Sequence, residues 1–195
     1  MSYLFASLYS SGSYLCEIVQ NLFNKLSFNS AKKCESPINE VLIYGDNDEG
    51  KSRQMGLNNL FCVYYVIIHA SRSVDVCVPS LVNATLIKCL LNVRQKNKVN
   101  IRIVVHKSKN SKDLEVFTQN GIEVKVIERN EIERLEHNFI LIDAVDDPVD
   151  AVAILGSIDY ETSRLNCNRD TTLLTSQEIV VNSLKQEFER VWCNA

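Results

Sequence analysis

The chain has 195 residues, 46% of them hydrophobic and 23% charged, which suits one folded domain with a full-sized core and room for an N-terminal appendage. Its net charge of -3 excludes a globally basic nucleic-acid binder and leaves any nucleic-acid contact to local patches. Seven cysteines, odd in number and scattered, argue against a disulfide scaffold and read as buried or idle thiols in a reducing compartment.

Residues 1–28 place Leu4, Leu8, Leu15, Val19, Leu22 and Leu26 at helical spacing, opposite a face of Ser7, Ser10, Ser13, Glu17, Gln20 and Asn24. A membrane-spanning helix needs about 20 mostly apolar residues, and serines, Gly12, Glu17 and Gln20 interrupt this one. Three readings stay open: a weakened anchor, an amphipathic helix lying in a membrane surface, and a helix packed on protein. Residues 29–38, with Lys32, Lys33 and Pro37, read as a linker, and residues 39–195 as the main domain.

From there strands alternate with helical patterns. Residues 41–44 form a short apolar strand, residues 60–70 have the density of a buried helix, and residues 73–78 the β-branched content of a buried strand. Pro79-Ser80 signals a helix start, with Val82, Leu86, Cys89, Leu90 and Val93 on one face. A strand at 101–105, a helix at 114–119 and a strand at 124–127 after the Asn120-Gly121 turn make a further unit. Strands at 139–143, 151–155 and 172–174 precede a closing helix at 176–192. The pattern predicts an α/β sandwich with a mixed, mostly parallel sheet.

Gly45-Asp46-Asn47-Asp48-Glu49-Gly50-Lys51-Ser52 matches the phosphate-binding P-loop pattern and follows a strand. Asp46, Asp48 and Glu49 would put three negative charges beside a polyphosphate, and residues 52–59 lack the apolar stripe of a docking helix. A solvated acidic loop is the expectation, and a P-loop nucleotide-binding protein is the third functional reading. Arg94, Lys96, Lys98, Arg102, His106, Lys107, Lys109 and Lys112 form a local basic strip, for which solvated helix ends and loops are the ordinary account.

The most informative segment is Glu136-His137-Asn138-Phe139-Ile140-Leu141-Ile142-Asp143, followed by Gly156-Ser157-Ile158-Asp159. It resembles the phospholipase D signature of His, one residue, Lys, four residues and Asp, then a Gly-Ser-x-Asn turn after the next strand. Glu136 stands at the His, Asn138 at the Lys, Asp143 at the Asp and Asp159 at the Asn. The likeness runs from about residue 41 to 192 and is closest to the single-motif branch of mitochondrial phospholipase D, or Zucchini. The segments 73–78, 99–105, 120–126 and 186–192 carry it in the same order and spacing.

In that family the His attacks phosphorus, the Lys and Asn hold phosphate oxygens, and two motifs meet across a homodimer. The resemblance therefore implies a phospholipase D-like α/β/α sandwich, a partner that is a second copy or an active paralogue, and the cytosolic face of the mitochondrial outer membrane. The cytoplasm is the alternative location. An ionised Glu136 repels a phosphodiester, Asn138 lacks positive charge, and Asp159 is acceptor-only. No catalytic residue is expected, and Glu136, Asn138, Asp143, Ser157 and Asp159 are degenerate motif positions. With the family's two-fold geometry, Glu136, Asp143 and Asp159 would gather six carboxylates. Ser157 reads as a turn hydroxyl, and Asp143 as either a member of that cluster or a strand-end acceptor for nearby amides.

His137 should face away from the cleft, because neighbouring strand residues point to opposite sides. His69 has a helix-end or core role and His106 begins the basic loop. No cofactor and no metal are expected; the family's zinc-binding insertion has no close-spaced Cys/His set here. The leading function is a non-catalytic binding or regulatory protein, with piRNA biogenesis or mitochondrial lipid signalling as the setting implied by resemblance. The second reading is an active phosphodiesterase on single-stranded RNA or cardiolipin.

Overall fold

Strand β1 (Asn39–Ile43) opens the domain in the computed structural model, which describes residues 37–43, 48–81, 83–106, 111–127, 135–145, 150–156 and 171–195. The expected helix at 1–28 and nearly all of the linker lie outside the described residues. After β1 come α1 (Glu49–Ile68), β2 (Ser73–Val78), α2 (Ala84–Asn97), β3 (Asn100–His106), α3 (Ser111–Gln119) and β4 (Glu123–Ile127). Then follow β5 (Phe139–Ile142), β6 (Val152–Gly156), β7 (Thr171–Thr175) and α4 (Glu178–Asn194).

The strands form one sheet in the order β1-β7-β6-β5-β2-β3-β4. The α/β sandwich stands, but the expectation of a mostly parallel sheet is corrected. β2 runs parallel to β3 and β3 to β4, whereas β1–β7, β7–β6, β6–β5 and β5–β2 are antiparallel. Parallel neighbours need a crossover of about a dozen residues or more, which α2 and α3 supply. Between β4 and β7 no helix stands among the described residues.

The central strands are buried on both faces. Cys77, Val104, Phe139, Leu141 and Ala153 point to one side and pack with Val181, Phe188 and Val191 of α4. The alternate residues Val74, Val76, Ile101, Ile103, Ile140 and Ile154 point to the other side and are equally enclosed. There α2 packs on α1 and β3, burying Leu86, Leu90 and Val93 at one-turn spacing.

Two helix starts differ from expectation. Asn83, rather than Pro79-Ser80, caps α2, its Oδ1 accepting from the amides of Thr85 at 3.0 Å and Leu86 at 3.1 Å. Asp48 caps α1, its Oδ1 accepting from the Lys51 amide at 3.0 Å. The acidic-loop reading is thus corrected for residues 49–52, and residues 52–59 are helical despite lacking an apolar stripe. A side-chain carboxylate already takes an amide at the point where a P-loop would hold phosphate. Strand β1 is also an edge strand antiparallel to β7, not the central strand that feeds a P-loop.

Candidate functional site

β5 enters the sheet through Leu135-Glu136-His137-Asn138. Leu135 and Phe139 belong to the core under α4, and the His137 ring lies 5.8 Å from that of Phe139. Alternation then puts Glu136 and Asn138 together on the opposite side, at the end of the sheet where β1, β2 and β3 finish. Glu136 is exposed and Asn138 half-buried. The backbone carbonyl of Asn138 accepts from the Gly156 amide at 3.1 Å, which sets the β6 end beside it. Ser157 and Asp159 lie outside the described residues.

Gly156 has no tolerable substitute. Its φ is 141°, and a Cβ there would sit 2.3 Å from the Thr171 carbonyl oxygen and 2.8 Å from the Thr172 Cα. Close approach of β6 to β7 therefore explains this glycine of the motif.

Asp143 occupies the other end of β5. Five residue steps along the chain separate it from Asn138, roughly 16 Å. Its carboxylate is 4% exposed and accepts from the amides of Ser71, Arg72 and Ser73 at 3.0, 2.6 and 3.0 Å, and from the Ser71 hydroxyl at 3.0 Å. Arg72 Nη2 donates to the Asp143 carbonyl at 2.9 Å, and the Asp143 amide donates to the Ser73 carbonyl at 2.9 Å. The residue ties the α1–β2 connection to the end of β5. The expected six-carboxylate cluster is corrected accordingly: Asp143 is spent on amides at the far end and cannot face a ligand held by Glu136.

His137 turns away from the Glu136 side. Its Nε2 lies 2.6 Å from Glu187 Oε1 on α4, and Arg190 Nη2 donates to the same oxygen at 2.6 Å. The Arg190 guanidinium, ahead of His137, holds the Glu187 carboxyl at about 2 despite the raising effect of burial. His69 forms the C-terminal cap of α1, its Nδ1 2.7 Å from the Tyr65 carbonyl. His106 ends β3, donating its amide to the Pro79 carbonyl at 3.1 Å. Burial pushes the thiols of Cys62, Cys77 and Cys89 up to about 12, so these three remain protonated and poor nucleophiles near neutral pH.

Among the described residues the basic strip does not assemble. Arg102 is internal, its Nε 2.7 Å from Asp75 Oδ1 and its Nη2 2.7 Å from Glu189 Oε1, with the guanidinium 4.8 Å from the Phe188 ring centroid. Arg94 donates to the Val99 carbonyl at 3.0 Å. Lys96 and Lys98 lie at the start of β3 and His106 at its end, while residues 107–110 are outside the described residues. Among the described residues, no group of three His, Cys, Asp or Glu is placed to hold a metal ion, and no helix is long and apolar enough to cross a membrane.

Sequence reasoning missed Thr172. It is fully buried, its Oγ1 has no hydrogen-bond partner, and it stands in register with Gly156, which in turn stands beside Asn138. Nothing in a Thr-Thr-Leu-Leu strand marks one hydroxyl as enclosed and unpaired.

The family described as cardiolipin synthase, PLD-like domain, matches residues 64–192. Mitochondrial cardiolipin hydrolase of Xenopus tropicalis is 22% identical over 130 residues, covering 65% of this chain and 58% of that protein. The Homo sapiens protein of the same name is 24% identical over 134 residues, covering 65% and 48%. The chain thus spans about half the length of the curated relatives it matches. Among solved structures, NucT from Helicobacter pylori aligns with a TM-score of 0.60 and 14% identity over 80% of this chain and 95% of its own. Nuc from Salmonella typhimurium, a phospholipase D family member, gives 0.60 and 16% with the same coverages. At such identities these two likenesses speak for the fold.

Proposed function

The chain belongs to the phospholipase D-like family, a phosphodiesterase-type scaffold, and from that membership we propose that it is a non-catalytic member acting as a binding or regulatory partner. The observation that carries this reading is the pairing of Glu136 and Asn138 on one side of the strand end where the motif calls for His and Lys. Hydrolysis through phospho-His needs a basic nucleophile and a clamp that supplies positive charge or donors. Glu136 supplies a negative charge, and Asn138 an uncharged amide. His137 does not substitute, since its ring is turned to α4 and engaged by Glu187.

The family's shared site supports a two-fold pairing through this end of the sheet, with a second copy or with an active paralogue whose site it would spoil. Relatives named for mitochondria support a mitochondrial surface as the location, with residues 1–28 as the contact and piRNA or lipid pathways as the setting. Carbonate extraction of mitochondria should release the protein, and deletion of residues 1–28 should leave it in the cytosol.

The decisive experiment incubates purified protein with single-stranded RNA, a generic phosphodiester and cardiolipin. No turnover is expected. Turnover of any of them that disappears in Glu136→Ala would falsify the reading and establish an active phosphodiesterase.

A further inference from the structure

We infer that the free edge of β1 is a self-recognition surface, at which β1 of a second copy adds antiparallel across a two-fold axis and joins the two sheets into one. This interface is separate from the motif end and does not rest on the non-catalytic reading.

The direction of the backbone groups follows from the pairing with β7. Asn39 stands opposite Thr175, so Ile38 stands opposite Ser176. The Ser176 amide donates to the Ile38 carbonyl at 3.0 Å, and the Ile38 amide to Ser176 Oγ at 2.7 Å. Alternation points the amides and carbonyls of Glu40 and Leu42 the same way, and those of Asn39, Val41 and Ile43 outward. The Ile43 carbonyl agrees, since it accepts from Asn59 Nδ2 at 2.8 Å. Among the described residues no strand pairs with that outer side.

The side chains mark this edge as one to be covered. Val41 is 52% and Ile43 62% exposed, and both lie on the α4 side, because Val41 stands in one row with Leu173, Leu155 and Phe139. α4 packs on β6 and β5, and the apolar row runs on past it to the edge. Edge strands that stay single are blunted by charge, proline or a bulge. The opposite edge follows this rule, since β4 carries Glu123 and Lys125 on one face. β1 runs without a bulge and has neither charge nor proline on its Val41 face.

Charge and register choose a second copy as the occupant. With the axis at Val41, Val41 meets the partner's Val41, Asn39 meets the partner's Ile43, and Glu40 meets the partner's Leu42. The whole strand then pairs and no like charges oppose. An axis at Glu40 would set two carboxylates face to face, and an axis at Leu42 would leave Asn39 unpaired within β1. The strand is therefore complementary to itself in one register. Stable interfaces bury about 1,200–2,000 Å² in total, which two such short strands do not reach, so the pairing is weak and concentration-dependent.

Hydrogen exchange of the full chain, read amide by amide by NMR at about 20 and about 500 µM, tests this pairing. The Val41 and Ile43 amides should exchange fast in dilute protein and several-fold more slowly in concentrated protein. The Leu42 amide, which faces β7, should stay slow in both. Sedimentation should show monomer and dimer exchanging over the same range. Val41→Lys, which sets like charges on the axis, should weaken association about tenfold or more. Val41→Thr keeps a β-branched residue and should weaken it far less. Thermal melts check that both variants are folded. Fast Val41 exchange at both concentrations, with no dimer, overturns the proposal. Slow exchange at both in a monomer also overturns it, and means that another part of the same chain lies on the edge. A dimer that persists in Val41→Lys and is lost in Glu136→Lys belongs to the motif end and overturns it as well. Phosphodiester turnover bears on none of these outcomes, so this inference and the non-catalytic reading fail separately.

Discussion

The two ends of β5 carry parts of one motif and follow opposite rules. At the far end Asp143 keeps the residue of the family pattern, and its carboxylate is consumed by three successive amides and a hydroxyl. At the near end Glu136 and Asn138 depart from the pattern, and Glu136 stands exposed. The retained residue is thus explained by folding, and on the proposed reading Glu136 and Asn138 stand where the family's chemistry would occur. Identity to a catalytic pattern is poor evidence of catalysis when the matching residue holds backbone together.

Substitution at Asp143 should break the molecule most. Asp143→Ala strands the Ser71, Arg72 and Ser73 amides and places alanine at a φ of 56°, at a cost of about 3–5 kcal/mol. Asp143→Asn tolerates that backbone better but loses the charge, and should cost roughly half as much. Urea unfolding followed by circular dichroism measures both. If Asp143→Ala were near neutral, the far end would be no anchor and the contrast would collapse.

Gly156 should come next, as the residue at the near end with a strict structural duty. Gly156→Ala meets the Thr171 carbonyl and a backbone conformation reserved for glycine, and should lose about 2–4 kcal/mol. The same urea titration reads it. A small loss would mean that β6 and β7 can separate there.

Strand positions were largely readable: residues 73–78 were placed to the residue, because continuous β-branched burial leaves little choice. Sheet direction was inferred as mostly parallel and is mostly antiparallel, although the lack of a helical pattern between the strands at 124–127 and 172–174 already spoke against parallel crossovers. The start of α1 was hidden because its first turns carry Glu49, Lys51, Ser52 and Arg53, polar residues that give no stripe. Asp48 as an N-cap was the available signal. The position of Asp143 relative to Glu136 was arithmetic on a strand, since an intervening run of extended chain cannot bring both ends to one cleft. His137 facing away from Glu136 followed from alternation, but its partner Glu187 lies 50 residues away and depends on how α4 docks.

Acid should probe that docking with a smaller effect. Glu187 has its pKa lowered from 4.5 to about 2, chiefly by Arg190 and then by His137 against burial. A carboxyl with a depressed folded pKa gives stability that is present above the unfolded value and is lost as pH falls through the folded one. The contribution should therefore fade between pH 4.5 and about 2. Since Arg190 is exposed and the pair is solvent-screened, the loss should be small. Urea midpoints at pH 5, 4 and 3 should decline less steeply in Glu187→Gln than in the parent. Identical slopes would place the acid sensitivity elsewhere.

The smallest expected change in stability belongs to Glu136→Ala, and its smallness is what makes the comparison sharp. Glu136 is exposed, and no described hydrogen bond or ion pair ties its side chain to the fold, so removal should shift stability by no more than about 0.5 kcal/mol. Coulomb repulsion from other acids at this end even allows a slight gain, and added salt should shrink it. Asp143→Ala and Glu136→Ala remove carboxylates of similar chemistry from the two ends of one strand, yet their urea midpoints should differ by several kcal/mol once converted to free energy. A loss at Glu136 approaching that at Asp143 would mean that its carboxylate has been recruited to hold structure, which would remove it as a ligand-facing group.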